Sequence, residues 1–189
     1  RLCRDWSSDV CSSDLALVTL KVDGSIEKTV IASIIESLVL DVQNDTTWSR
    51  LKEIFVNPSL QMVSFTITEK GYKLKDGQGE YFSTVVEDFE NGPDSPVSYI
   101  GQISSLVYER FLHGKQPIAL VSMDNMSHNG TKLYESISMY AKKWVENGIV
   151  DEGFLAYISD PKSVSFPWSM IDKITPRPDP SVKIGRAHV

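Results

Sequence analysis

Pro117-Ile118-Ala119-Leu120-Val121-Ser122 runs without a break into Met123-Asp124-Asn125-Met126-Ser127-His128-Asn129-Gly130. The first six residues form an apolar, β-prone run, the pattern of a strand covered on both faces in a parallel sheet. The next eight are polar and turn-forming. Beyond them Leu133, Ile137, Tyr140, Ala141 and Trp144 recur at helical spacing, and Asn147-Gly148 suits the close of that helix. A buried strand, a polar bend and a long amphipathic helix make one strand–helix unit of an α/β sheet.

A second unit of this kind precedes it. Leu60 to Thr68 reads as another nearly unbroken strand, also expected to be covered on both faces, and it ends in Glu69-Lys70-Gly71-Tyr72. Between the two strands, Tyr81 to Phe89 reads as a short helix. Gly92-Pro93-Asp94-Ser95-Pro96 is a break whose Ser95 and Pro96 suit a helix opening. Tyr99, Ile100, Ile103, Leu106, Val107 and Phe111 then share one helical face, with Gly114 at its end. Earlier still, Thr46 or Thr47 can cap a helix carrying Trp48, Leu51, Ile54 and Phe55, stopped at Asn57-Pro58. Ala16 to Lys21 predicts a strand, Asp23-Gly24 a turn, and Glu27 to Ile31 a strand or early helix. Val164-Ser165-Phe166 predicts a last short strand, after which Pro176, Pro178 and Pro180 lead out of the domain. The alternation predicts an α/β fold with a parallel sheet.

The two ends read differently. Asp5 to Leu15 back-translates to a common sequencing-library adaptor, and Ile184 to Val189 to its reverse complement. Residues 1–15 and 184–189 are therefore expected to be scars outside the fold. Residues 16–176 are expected to form one partial domain, and 177–183 the start of a connection to a further one.

Both cysteines, Cys3 and Cys11, fall in the first scar, which removes a disulfide framework, a cysteine zinc site and a thiol nucleophile from the rest. The scars carry three basic residues (Arg1, Arg4, Arg186) and three acidic ones (Asp5, Asp9, Asp14), so the net charge of −6 is unchanged without them. A mildly acidic chain without a Lys/Arg cluster argues against nucleic acid and anionic membrane surfaces as partners. No apolar run reaches the roughly 20 residues of a membrane span. Gly77-Gln78-Gly79 follows a polar turn and is a weak phosphate-loop signal.

In open α/β sheets ligands bind beyond the carboxyl ends of the strands. That places Glu69, Asp124, Asn125, His128 and Asn129 at a candidate site. Each also has a plainer reading. Asp124 and Asn125 can form an Asx turn and cap the next helix, His128 can be a first-turn residue, and Glu69 with Lys70 a solvated turn. The string Ser165 to Arg177, with apolar and charged residues alternating between prolines, can be an edge strand with Asp172 and Lys173 in water.

Three strings in order and register decide between these readings: Ser64-Phe65-Thr66-Ile67-Thr68-Glu69-Lys70-Gly71-Tyr72, Ser122-Met123-Asp124-Asn125 with His128-Asn129-Gly130, and Phe166-Pro167 with Met170-Ile171-Asp172-Lys173-Ile174-Thr175-Pro176. Here the chain resembles the long-chain mannitol dehydrogenase family, which includes mannitol 2-dehydrogenases and fructuronate reductases. The resemblance implies the later part of a Rossmann-like parallel-sheet domain, truncated at both ends. It implies NAD or NADP as cofactor, a sugar, polyol or sugar acid as substrate, no metal, and a cytoplasmic location. The nucleotide-binding glycine turn is expected upstream and the lysine base downstream, so the chain alone is expected to be inactive.

By resemblance Asn125 donates a hydrogen bond to the reacting oxygen, where alkoxide charge develops. Asp172 lies near nicotinamide and substrate, and Glu69 is placed to relay the proton lost from the lysine. Thr68, Asp124, His128, Asn129 and Lys173 belong to the same vicinity, with Asp124, His128 and Asn129 shaping the turn. Glu69, Asn125 and Asp172 are expected to converge on one crevice. Met123 and Trp168 depart from the commonest family pattern, cysteine and a smaller polar residue. Glu69-Lys70-Gly71-Tyr72 leans toward the hexuronate reductases. The rival expectation is a non-catalytic sugar- or nucleotide-binding relative on the same scaffold.

Overall fold

The computed structural model describes residues 16–21, 23–30 and 35–170. Asp172 and Lys173 lie outside them. The chain divides into two compact units, one within residues 1–39 and 175–189 and one spanning Leu40–Ile174.

In the first unit β1 (Ala16–Leu20) and β2 (Ile26–Val30) pair antiparallel, Ala16 opposite Val30 and Leu20 opposite Ile26. Gly24, at φ +81°, and Asp23 make the turn. The Asp23 carboxylate accepts from the Ser25 amide at 2.9 Å and the Ser25 hydroxyl at 2.6 Å. Of the two options the sequence left there, the strand is formed over Ile26–Val30.

The second unit runs α1 (Asp45–Val56), β3 (Met62–Phe65), α2 (Glu69–Tyr72), α3 (Ser83–Asn91), α4 (Tyr99–Leu112), β4 (Ile118–Ser122), α5 (Asn129–Glu146), α6 (Glu152–Ser159) and β5 (Val164–Ser165). Its three strands lie in the order β3-β4-β5, all parallel, with Met62 opposite Ala119 and Ile118 opposite Val164. Parallel neighbours need long crossovers. Here α2, α3 and α4 lie on the chain between β3 and β4, and α5 and α6 between β4 and β5. The α/β parallel-sheet expectation holds.

Several local expectations shift. The run Leu60–Thr68 gives only four strand residues, and β3 is not covered on both faces: Met62 and Ser64 are exposed while Phe65 is buried. β4 matches its pattern better, with Ile118, Leu120 and Ser122 buried. Asn44, not Thr46 or Thr47, caps α1, its side-chain oxygen accepting from the Thr47 amide at 3.2 Å. Ser98, not Ser95, caps α4 by accepting from the Gly101 amide at 3.0 Å. The helix α6, capped by Asp151, was not anticipated. No helix of the described residues is long and apolar enough to cross a membrane.

The core gathers where α4 and α5 meet β4. Val107, Leu120, Leu133, Ile137, Tyr140, Ala141, Trp144 and Phe154 have no exposed surface. Two buried charged groups tie loops to this core. The Asp88 carboxylate accepts from the amides of Val97 at 2.6 Å and Ser98 at 3.0 Å, fixing the start of α4. The Arg110 guanidinium donates to the carbonyls of Phe55, Asn57, Leu60, Gln116 and Pro117, stitching the end of α1 to the entries of β3 and β4. The Arg110 anchor thus holds the entries of the two strands whose far ends carry the candidate site.

Candidate active site

Parallel register sends the chain out of β3 and β4 side by side. The Met123 amide still donates to the Phe65 carbonyl at 2.7 Å, so pairing persists one step past Ser122 before the loops part. Ser122 is fully buried, and its hydroxyl lies 2.7 Å from the Tyr72 hydroxyl. That contact locks α2 onto the end of β4. Burial pushes the Tyr72 phenol up; the Ser122 bond lowers it in part, and the charge of Asp124 raises it. The Ser136 hydroxyl completes the seam by donating to the Tyr72 carbonyl at 2.8 Å.

Beyond Ser122 the bend is held by backbone and side-chain bonds together. The Met126 amide donates to the Asp124 carbonyl at 2.9 Å. Asn125, at the apex, is exposed, and its carboxamide makes no hydrogen bond to a described residue. His128 takes the left-handed conformation, φ 56°, and its ring packs edge-on against Trp168 at 4.5 Å between centroids. The Trp168 indole donates to the Thr131 hydroxyl at 2.9 Å, yet the residue stays 64% exposed. An aromatic plate thus stands at the rim beside the bend.

Asn129 opens α5 with no exposed surface. Its side-chain nitrogen faces the carbonyls of Ser122 at 3.3 Å, Asp124 at 3.0 Å and Ser169 at 3.0 Å, and the Ser169 hydroxyl at 2.9 Å. Its side-chain oxygen accepts from the amides of Gly130 at 2.8 Å and Ser169 at 3.1 Å. The Ser169 hydroxyl also donates to the Ser122 carbonyl. Gly130 follows, and a Cβ there would lie 2.4 Å from the Phe166 carbonyl oxygen and 2.7 Å from that of Pro167. The segment after β5 therefore lies directly on the start of α5.

Glu69 begins α2 and is exposed, 3.8 Å from the Lys73 ammonium and 3.9 Å from that of Lys132. The pair to Lys132 links α2 to α5 across a shallow depression of about 240 Å³, also lined by Tyr72, Glu135 and Ser136. Thr68 is exposed, and only its carbonyl is engaged there, accepting from the Gly71 amide at 2.7 Å. The fold thus brings Thr68, Glu69, Asp124, Asn125, His128 and Asn129 to the carboxyl edge of the sheet. Asn125 does not line the depression beside Glu69. Tyr72 was quoted from sequence only as the end of the Glu69–Tyr72 string, without a role, and Ser169 was not singled out. Tyr72 lies in an irregular stretch without periodicity, and Ser169 in extended chain whose partners are set only by folding.

The family described as the mannitol dehydrogenase Rossmann domain matches residues 19–185. The chain is 51% identical over 166 residues to a D-mannonate oxidoreductase of Thermotoga maritima, covering 88% of this chain and 30% of that protein. The structure is similar to a D-sorbitol dehydrogenase in substrate-free form, with TM-score 0.69 at 25% identity, covering 88% of this chain and 32% of the other. It is also similar to Pseudomonas fluorescens mannitol 2-dehydrogenase in a ternary complex with NAD and D-mannitol, with TM-score 0.68 at 28% identity and the same coverage. The chain spans about a third or less of the length of these relatives. With its matched residues running through the sheet, the bend at Asn125 and the strap at Ser169, the chain belongs to the mannitol dehydrogenase family and carries that family's Rossmann domain.

Proposed function

We propose that this domain works within a longer NAD(P)-dependent oxidoreductase that interconverts a keto-uronate and its aldonate, the fructuronate reductase type, in preference to a mannitol 2-dehydrogenase. Two things support the sugar-acid reading. The identity to the D-mannonate oxidoreductase, 51%, is well above the 28% to the mannitol 2-dehydrogenase. The Glu69-Lys70-Gly71-Tyr72 string leans the same way.

One observation carries the catalytic reading: Asn125, whose exposed carboxamide makes no hydrogen bond to a described residue, stands at the carboxyl edge of a parallel sheet on a bend pinned from below. The donor set fits the reacting end of a nicotinamide cofactor. An amide supplies a neutral hydrogen-bond donor without competing for the proton, and the Trp168 ring, packed on His128 of the same bend, offers a flat apolar wall. When bound, the cofactor gives or takes the hydride. Asn125 donates to the substrate oxygen on which charge develops. Glu69, between two lysines and open to water, passes the released proton outward. By the family resemblance Asp172 acts near substrate and nicotinamide, with Thr68 and Lys173 assigned to the same vicinity.

The test is a turnover panel on the full-length protein: fructuronate, tagaturonate and fructose in the reductive direction, mannonate and mannitol in the oxidative, each with NAD and NADP forms. The expected result is turnover with a hexuronate–aldonate pair at least about tenfold faster in kcat/KM than with fructose–mannitol, a difference worth about 1.4 kcal/mol. Preference for fructose–mannitol would overturn the substrate assignment. No turnover with any pair would favour the non-catalytic relative.

A further inference from the structure

We propose that Asn129 is the positioning residue of this site, setting the orientation of Asn125 and coupling it to the strap after β5. The inference rests on the catalytic reading of Asn125 given above. The Asp124 carbonyl and the Asn125 amide belong to one rigid peptide plane. Asn129 grips that plane from inside through its 3.0 Å bond to the Asp124 carbonyl, while the Met126 amide holds the same oxygen at 2.9 Å. The apex thus inherits its direction from a side chain with no exposed surface.

The same carboxamide holds both polar groups of the Ser169 backbone, its nitrogen donating to the carbonyl and its oxygen accepting from the amide. Helix capping does not need this: an Asn at a helix start satisfies one or two amides of its own turn. Here most of its contacts are made elsewhere, to the end of β4 and to a segment 40 residues on. Gly130 permits the approach, because any Cβ would strike the Phe166 and Pro167 carbonyls. Three carbonyl oxygens converge on the side-chain nitrogen, so the site demands a donor of amide shape. An aspartate there would set an acceptor against acceptors.

A double-mutant cycle tests this in the full-length, cofactor-loaded protein. Asn129→Asp is expected to lower kcat at least about tenfold with KM changed less than about threefold, since a misplaced group costs the transition state rather than binding. In an Asn125→Ala background the same change is expected to cost less than about twofold, because it acts through a group already removed. A loss of equal size in both backgrounds, or no loss, would overturn the proposal.

Hydrogen exchange gives a second readout that needs no activity. In Asn129→Asp the amides of residues 122–128 and of 168–170 are expected to exchange at least about tenfold faster together, with those of α4 unchanged. Wild-type exchange in either segment would overturn the coupling. Should Asn129→Asp fail to fold, Ser169→Ala removes only the hydroxyl contacts and is expected to move both segments in the same direction. An Asn125→Ala enzyme with undiminished kcat would remove the catalytic reading of Asn125, while the exchange result would still decide whether Asn129 couples the two segments.

Discussion

Tyr140 has no exposed surface, and its hydroxyl lies 2.6 Å from that of Ser98 and 3.4 Å from the Asp88 carboxylate. Burial, reinforced by the Asp88 charge, pushes its phenol far above the usual range. Burial also raises the phenols of Tyr72, Tyr99, Tyr108 and Tyr157. The folded state therefore holds these protons more tightly than the unfolded chain. Their contribution to stability is complete below the unfolded phenol value of about 10 and is lost as pH rises beyond it. Alkaline titration followed by phenolate absorbance should show a group of tyrosines ionising together with loss of far-ultraviolet dichroism. All seven tyrosines titrating near pH 10 in an intact fold would contradict this. At this scale the position of Asn125 and Asn129 just beyond the end of β4 was legible, while their roles came from the family resemblance. Arg110 was not legible. It stands on the buried face of α4 beside Leu106 and Val107, and only the fold reveals the five carbonyls that accept its protons.

Between α5 and the strap, the elements meet backbone to backbone. Gly130→Ala must push the Phe166–Pro167 segment away or shift the first turn of α5, because the contacts are to carbonyl oxygens that cannot rotate aside. Overpacking of this kind costs about 1–3 kcal/mol. A denaturant titration should show the loss as a lower midpoint with an unchanged slope. A variant as stable as the parent would mean that the strap does not rest there. The long elements were readable because periodic burial marks them. α4 and α5 bury the faces that their apolar spacing assigned, apart from Tyr99, which is 40% exposed. β3 was over-read, since its apolar residues do not report that Met62 and Ser64 face outward in a three-stranded sheet. α6 was passed over, although Asp151 caps it and Phe154, Tyr157 and Ile158 bury one face.

For the molecule as a whole, sequence alternation foretold the parallel sheet but not its order or register, which are set by contacts distant along the chain. It placed Thr68, Glu69, Asp124, Asn125, His128 and Asn129 at one edge because they follow the carboxyl ends of the parallel strands β3 and β4. It did not supply the bonds among Tyr72, Ser122, Asn129 and Ser169 that make that edge a defined shape. In the proposed function this edge presents the Asn125 carboxamide to the oxygen borne by the carbon that gives or takes the hydride. A crystal structure of the full-length protein with oxidised cofactor and an aldonate tests it directly. The Asn125 side-chain nitrogen is expected within about 3.2 Å of the substrate hydroxyl on the reacting carbon. A substrate bound elsewhere, or an Asn125 carboxamide turned away from that hydroxyl with no water between them, would contradict it.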